Sequence, residues 1–257
     1  MKRFFFALKE RTVYGIRLGL FFAAGGNTCT VCGNEAGVIP LCGECEKRRF
    51  AVPPCGEGER CSVCGKTLIS ERGVCMRCRR ERLLVHTDAV FPLYSYRLWN
   101  SVLLFRWKIQ GFRALSPFFA ARTASALKTL PKACVVVPVP PRPGKIRKKG
   151  WDQIEELCRF LEYRYGYDVC RILERRTKGE QKKLGRGARL ESIGKIYALK
   201  SMKKLKKELK RFGGKVPKNI CIVDDLFTTG VTLESCASVL KSAGAEKVFA
   251  VTLFIAD

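Results

Sequence analysis

Histidine is all but missing from this sequence: among 257 residues there is one, His86. It lies just after the cysteine-rich stretch and outside its tetrads, and reads as a linker residue. Long apolar runs are missing too. Phe4 to Leu8 and Gly19 to Ala24 are apolar, but Lys9, Glu10, Arg11 and Arg17 interrupt them, so nothing approaches the roughly 20 residues that span a bilayer. A membrane-spanning helix is therefore excluded, and the first run is too short for the core of a secretory signal. What residues 1–28 do fit is an amphipathic helix, docked on the body or resting on a membrane surface. Acidic residues are scarce as well, 23 against 49 Lys and Arg, which leaves a formal net charge of +26 and a pI near 9.8. So large a surplus implies an anionic partner or a field that draws anions, although lysine-rich solvated faces produce the same count.

Cysteine, by contrast, is abundant. Nine of the 14 fall between Cys29 and Cys78, mostly as C-x-x-C pairs, and with no export signal the reading is metal in a reducing cytoplasm, not disulfides. Cys29, Cys32, Cys42 and Cys45 form one tetrad and Cys61, Cys64, Cys75 and Cys78 a second; four thiolates with no open position suit two structural zinc sites. Iron–sulfur or redox pairs are the alternatives, and exchange of ligands between the tetrads is compatible with the spacing. Gly33 and Gly65 follow their knuckles where a left-handed turn directs N–H groups at sulfur. Metal binding supplies the folding energy of such ribbons, on the order of 10 kcal/mol. Cys55 is a spare thiol, while Cys134, Cys158, Cys170, Cys221 and Cys236 sit in apolar patterns that mark core positions.

The 47% hydrophobic content supports one domain of ordinary size beside this module. Asp88 to Tyr96 reads as its first strand, Arg97 to Ile109 as a helix with Leu98, Val102, Phe105 and Ile109 near one face, and Leu115 to Leu130 as a second helix with Pro117 in its first turn. Trp99 and Trp107 are packing residues by preference, with base stacking as the alternative. Cys134 to Pro140 is an unbroken apolar run, the pattern of a strand covered on both faces. Its end carries Arg142, Lys145, Arg147, Lys148 and Lys149, a basic loop where a parallel sheet places an anionic ligand. A helix follows, with Ile154, Leu157, Cys158 and Leu161 as its stripe. Arg171 to Arg189 mixes cations with Gly179, Gly185 and Gly187, and Lys200 to Lys218 reads as an exposed lysine-rich helix suited to nucleic acid or to solvent.

The richest stretch runs from Asn219 to Thr232. An apolar run ends in Asp224 and Asp225, then Thr228, Thr229, Gly230, Val231 and Thr232 lead into a helix with Leu233, Cys236, Ala237 and Leu240 on one face, and a last strand follows from Val248. Unpartnered N–H groups at a helix start hold phosphate, threonine hydroxyls add donors, and carboxylates suit neutral hydroxyls. A ligand with a phosphate at one end and a vicinal diol at the other satisfies both halves. An ordinary strand–loop–helix crossover is the alternative.

Over about thirteen positions this stretch is similar to the phosphoribosyl-diphosphate signature of type I phosphoribosyltransferases. Val137 to Gln153 resembles the matching segment of the ComF family, competence-associated proteins with a cysteine-rich zinc module ahead of a phosphoribosyltransferase-like domain. Lys108 with Gly111, Gln181 with Leu184 and Arg189, and the Asp-Asp/Thr-Thr-Gly signature fall in the order of that family. Asp152 and Ser192 stand where it usually has asparagine, and Tyr197 where phenylalanine is common; the first change removes an amide donor.

The resemblance, from Cys29 to the C-terminus, implies an α/β fold. A mostly parallel-sheet domain over 87–257 is expected to follow a double zinc ribbon over 29–86 and an amphipathic segment over 1–28. It implies that Asp224 and Asp225 hold the ribose hydroxyls and that Thr228, Thr229, Gly230, Val231 and Thr232 hold the 5′-phosphate of phosphoribosyl diphosphate or another sugar phosphate. Mg²⁺ with Arg147, Lys148 or a mobile-loop arginine such as Arg189 would face the diphosphate, and 171–189 would be the closing loop. The implied partners are single-stranded DNA and DNA-uptake proteins, in the cytoplasm or at the membrane periphery. Two activities stay open: a phosphoribosyltransferase, or a non-catalytic zinc-containing scaffold for single-stranded DNA.

Overall fold

The structure is a computed structural model that describes residues 12, 15–16, 19, 28–37, 39–50, 59–81, 84–130, 134–176 and 196–256, the side chain of Trp99 excepted. The expectations for the apolar runs of residues 1–28, and for Cys55, Gln181, Leu184, Arg189 and Ser192, lie outside the described residues, as does most of the expected closing loop.

A four-stranded parallel sheet forms the centre. Its strands are β1 (Ala89–Ser95), β2 (Val135–Pro138), β5 (Asn219–Phe227) and β6 (Lys247–Ile255), in the order β1-β6-β5-β2. The register pairs Asp224 with Thr252 across β5 and β6, and Pro138 with Val223 across β2 and β5. A separate antiparallel ribbon joins β3 (Leu173–Arg175) to β4 (Tyr197–Leu199). Leu173 to Arg175 thus form a strand inside the expected closing loop; three residues with no alternation carry too little pattern to announce a strand whose partner is more than twenty residues away.

The sheet is covered on both faces, as its unbroken apolar strands require. Along β5, Cys221 and Val223 enter one core while Ile220 and Ile222 enter the other, following the two-residue alternation of a strand. The first core takes α3 (Trp99–Lys108), α4 (Ser116–Leu127) and α6 (Gln153–Tyr165); the second takes α7 (Met202–Leu209) and α8 (Val231–Ser242). Pro117 lies in the first turn of α4, and Ile154, Leu157, Cys158 and Leu161 of α6 are buried, as expected. Trp107 is fully buried, its ring 4.6 Å from that of Phe119, and its Nε1 donates to Ser116 Oγ at 2.9 Å. It is a packing residue, not a base-stacking platform.

One expectation fails here. In α3 the predicted stripe of Leu98, Val102, Phe105 and Ile109 faces outward, between 36% and 82% exposed, while Leu103, Leu104 and Trp107 enter the core. This helix is apolar nearly all round, so periodicity does not choose its inner face. The lysine-rich helix is also shorter than predicted. It passes through a 3-10 turn at Lys210–Phe212 and stops at Gly213 and Gly214, both with positive φ.

The cysteine module is built into this body. Its two tetrads lie on opposite faces of the sheet: Cys29 and Cys45 join the first core, and Cys61, Cys64 and Cys75 join the second. Phe50, fully buried after α1 (Gly43–Arg49), stacks edge-on against Tyr94 at 5.6 Å and Phe118 at 5.7 Å. Beside the second tetrad, Val90 N–H of β1 donates to the Val63 carbonyl at 3.2 Å, and Arg60 Nη1 donates to the Pro92 carbonyl at 3.0 Å.

Candidate functional site

In each tetrad the four sulfurs lie within 4.8 Å of one another. The Sγ separations are 3.6 Å for Cys32 and Cys42 and 3.7 Å for Cys64 and Cys75. Tetrahedral coordination with Zn–S bonds of about 2.3 Å requires sulfurs about 3.8 Å apart, so the groups fit the ion. Backbone donors support the thiolates: Cys45 N–H points at Cys42 Sγ over 3.4 Å and Cys75 N–H at Cys61 Sγ over 3.3 Å. Burial pushes the Cys29 and Cys61 thiols up, but N–H groups aimed at their sulfurs outweigh it and bring them to about 6 and about 7. Burial and the neighbouring sulfurs push Cys45 and Cys78 well up, a cost that a divalent cation in the centre removes. Each tetrad is able to hold a zinc ion, with ligands from its own two knuckles and no mixing between them.

Where β5 ends, the carboxylates appear. The strand runs on through both to Phe227, so the pair belongs to the sheet and not to the loop. Successive strand residues face opposite sides, and the two carboxylates accordingly have different surroundings. Asp225 is buried; Lys108 Nζ lies 2.8 Å from its Oδ2, and Gln153 Nε2 donates to the same oxygen at 2.5 Å. Asp224 is half-buried and accepts the N–H of Asp225 at 2.8 Å. Burial, and then the charge of Asp225, push its carboxyl up to about 8.

Lys145 extends the network by donating to Asp152 Oδ2 at 2.5 Å and to Gln153 Oε1. Asp152 also caps α6, its Oδ1 accepting the N–H groups of Ile154 and Glu155 at 3.0 Å each. The residue that departs from the family pattern thus works as an acceptor on both oxygens, and the lost amide donor is not missed at the cap.

Beyond Phe227 the chain turns through Thr228 and Thr229, both exposed, to Gly230, whose φ of +85° sets the start of α8. A Cβ at Gly230 would lie 3.1 Å from Leu84 Cδ2 and 3.2 Å from the Phe227 ring, so both backbone and packing require glycine. Glu234, in the first turn of α8, accepts from His86 N–H at 2.8 Å, from Thr87 Oγ1 at 3.0 Å, and pairs with His86 Nδ1 at 2.6 Å. His86 is thus a linker residue that ties the cysteine module to this helix.

Arg147 and Lys148 belong to a short helix, α5 (Lys145–Lys149), between Gly144 and Gly150. Both are exposed, and neither touches Asp224 or Asp225. Arg147 instead opens on a cavity of about 700 Å³ past the end of β2, lined also by Arg142, Arg171, Arg175, Lys200 and Lys204. Arg171 is committed to Glu155 and Glu162 at 2.7 Å each. The predicted site residues therefore form two groups at the same edge of adjacent parallel strands, where α/β sheets bind ligands. Sequence reasoning gave no role to Gln153, Glu234 or Arg77, whose partners lie 72 to 151 residues away.

A parallel sheet with helices on both faces, joined to two four-cysteine centres, defines the class: an α/β protein with an N-terminal cysteine-rich module. No protein-family model matches the chain. A curated relative, the competence protein ComFC of Streptococcus pneumoniae, is 28% identical over 211 residues, covering 81% of this chain and 84% of the relative. With the two cysteine tetrads in place, this likeness supports the ComF-family resemblance read from the sequence. Among the described residues, no helix is long and apolar enough to cross a membrane.

Proposed function

We propose that the turn from Asp224 to Thr232 binds phosphoribosyl diphosphate, or a related sugar phosphate, with Mg²⁺. The observation that carries this reading is the pairing of a buried, fixed Asp225 with a partly open Asp224, one turn ahead of a glycine-started helix. Lys108 and Gln153 lock Asp225 in place, and a carboxylate has about four acceptor positions, so capacity remains for a sugar hydroxyl. Asp224 takes the neighbouring hydroxyl. The Thr228 and Thr229 hydroxyls and the N–H groups at the start of α8 meet the phosphate. Mg²⁺ would neutralise the diphosphate, and Arg147 and Lys148 of α5 are the cations proposed to share that role. Where a nucleophile arrives at the anomeric carbon, the paired carboxylates favour the positive charge that develops as diphosphate leaves.

A thermal shift scan tests this directly. Phosphoribosyl diphosphate with Mg²⁺ is expected to raise the melting temperature more than ribose 5-phosphate, and ribose 5-phosphate more than free nucleobases. Asp225→Asn is expected to abolish the shift. A chain indifferent to both sugar phosphates would sink the proposal.

A second reading rests on a different observation: Arg142, Arg147, Lys200 and Lys204 have no ionic partner among the described residues, and they line one large cavity. Those cations suit the backbone of single-stranded DNA, in keeping with a family tied to competence. Binding there is expected to weaken by about 0.7 log units per phosphate contact for each log unit of salt. If Asp225→Asn spares DNA binding while Arg147→Glu with Lys204→Glu removes it, the two surfaces act separately.

A further inference from the structure

The second cysteine tetrad reaches the phosphate turn through one side chain. Helix α2 (Met76–Arg80) starts one residue after Cys75 and contains Cys78, so two thiols of one tetrad hold its first turn. Between them stands Arg77. Its Nη1 donates to the carbonyl oxygen of Thr228 at 2.9 Å, across 151 residues of sequence. A cavity of about 140 Å³ opens at this point, lined by Cys64, Cys75, Cys78, Phe227 and Thr229 together with Arg77 itself. The guanidinium bridges that gap.

The consequence follows from peptide geometry. The bond joining Thr228 to Thr229 is planar and trans, so its C=O and N–H point in opposite directions. With the carbonyl held toward Arg77, the Thr229 N–H is aimed away from the module. Gly230, the next residue, has a φ of +85° and rests on Leu84 and Phe227, so the turn has little freedom to compensate if the carbonyl is released.

We infer that Arg77 is a positioning residue for the phosphate turn, and that metal held by Cys61, Cys64, Cys75 and Cys78 thereby sets the affinity of that turn for a sugar phosphate. The affinity half rests on the sugar-phosphate reading above; the hold on the turn does not. A zinc site that looks closed and structural acquires a second role, as the anchor of a donor far outside its own coordination sphere.

The test uses the full chain and two variants, Arg77→Gln and Arg77→Lys, with zinc content measured for each. Hydrogen exchange of residues 228–232 is followed without ligand, with β6 as the reference for an intact fold, and ribose 5-phosphate is then titrated by calorimetry. In Arg77→Gln, zinc content and β6 protection are expected to match the parent. Exchange in 228–232 is expected to be about tenfold faster and ribose 5-phosphate affinity about tenfold lower, the loss of one charge-assisted hydrogen bond, with recovery in Arg77→Lys. Stripping the metal is expected to loosen the turn in the parent and to add nothing in Arg77→Gln.

Unchanged exchange in Arg77→Gln overturns the proposal, as do equal increments on metal removal in parent and variant. If the parent ignores ribose 5-phosphate, the sugar-phosphate reading and the affinity half fail together, whereas a loosened turn in Arg77→Gln upholds the positioning half. The two failures are thus distinguishable.

Discussion

Asp152 and Lys145 stand 2.5 Å apart, Oδ2 to Nζ, on either side of the glycine that ends α5, and the same aspartate caps α6 with its other oxygen. Asparagine caps a helix as well as aspartate does. Asp152→Asn is therefore expected to keep α6 intact and to lose only the ionic contact with a lysine that retains Gln153 Oε1 as acceptor. Urea unfolding should register a loss of about 1 to 2 kcal/mol, with an unchanged m-value. A loss above that range would mean the cap has failed too.

The carboxyl of Asp224 makes stability depend on pH in a definite direction. Its folded value is pushed up to about 8 from an ordinary value of 3.8, so between these limits the unfolded chain has released a proton that the folded chain still holds. That contribution is complete below pH 4 and is lost as pH rises through 8. Asp224→Asn keeps an acceptor for the Asp225 N–H and removes the titration. The melting temperature of the variant relative to the parent should climb from pH 5 to pH 9; a flat difference would contradict the assignment.

Breaking the Lys108–Asp225 pair from one side leaves a buried carboxylate with Gln153 as its main donor. Lys108→Met should cost about 1 to 3 kcal/mol, discounted because the lysine is partly exposed. Adding Asp225→Asn to it should return part of that loss. Additive losses in the double variant would show that the two residues do not interact.

Gly65 is the tightest point between the cysteine module and the sheet. Its φ is +70°, and a Cβ there would fall 2.3 Å from both Pro92 Cδ and the Val90 carbonyl oxygen. Gly65→Ala is expected to lift the second tetrad from β1 and to destabilise by at least about 1 to 2 kcal/mol from the backbone alone. Melting followed by zinc release should show metal loss ahead of global unfolding.

Much of this architecture was legible in the sequence because the signals were local. Cys29 to Cys78 announces its metal chemistry by spacing, and α8 announces itself through Leu233, Cys236, Ala237, Leu240 and the preceding glycine, all placed as expected. The parallel sheet followed from runs such as Val135 to Val139 that have no polar face. What stayed hidden depends on pairing at a distance. Nothing near Arg77 or Glu234 says that one holds Thr228 and the other His86. The inner face of α3 was misread because both of its faces are apolar, and β3 because three residues are too few to establish a period. The paired carboxylates stood out in the sequence, yet their division into one fixed and one open group needed the register of β5.

Strand β1 closes one side of the sheet, and among the described residues the cysteine module covers it by one rung, Val63 to Val90, with Arg60 on the Pro92 carbonyl. A chain whose second tetrad comes apart would uncover an unpaired row of amides and carbonyls, an invitation to add a neighbour's strand. Oxidation of the thiols that organise the ribbon is thus expected to surface first as turbidity.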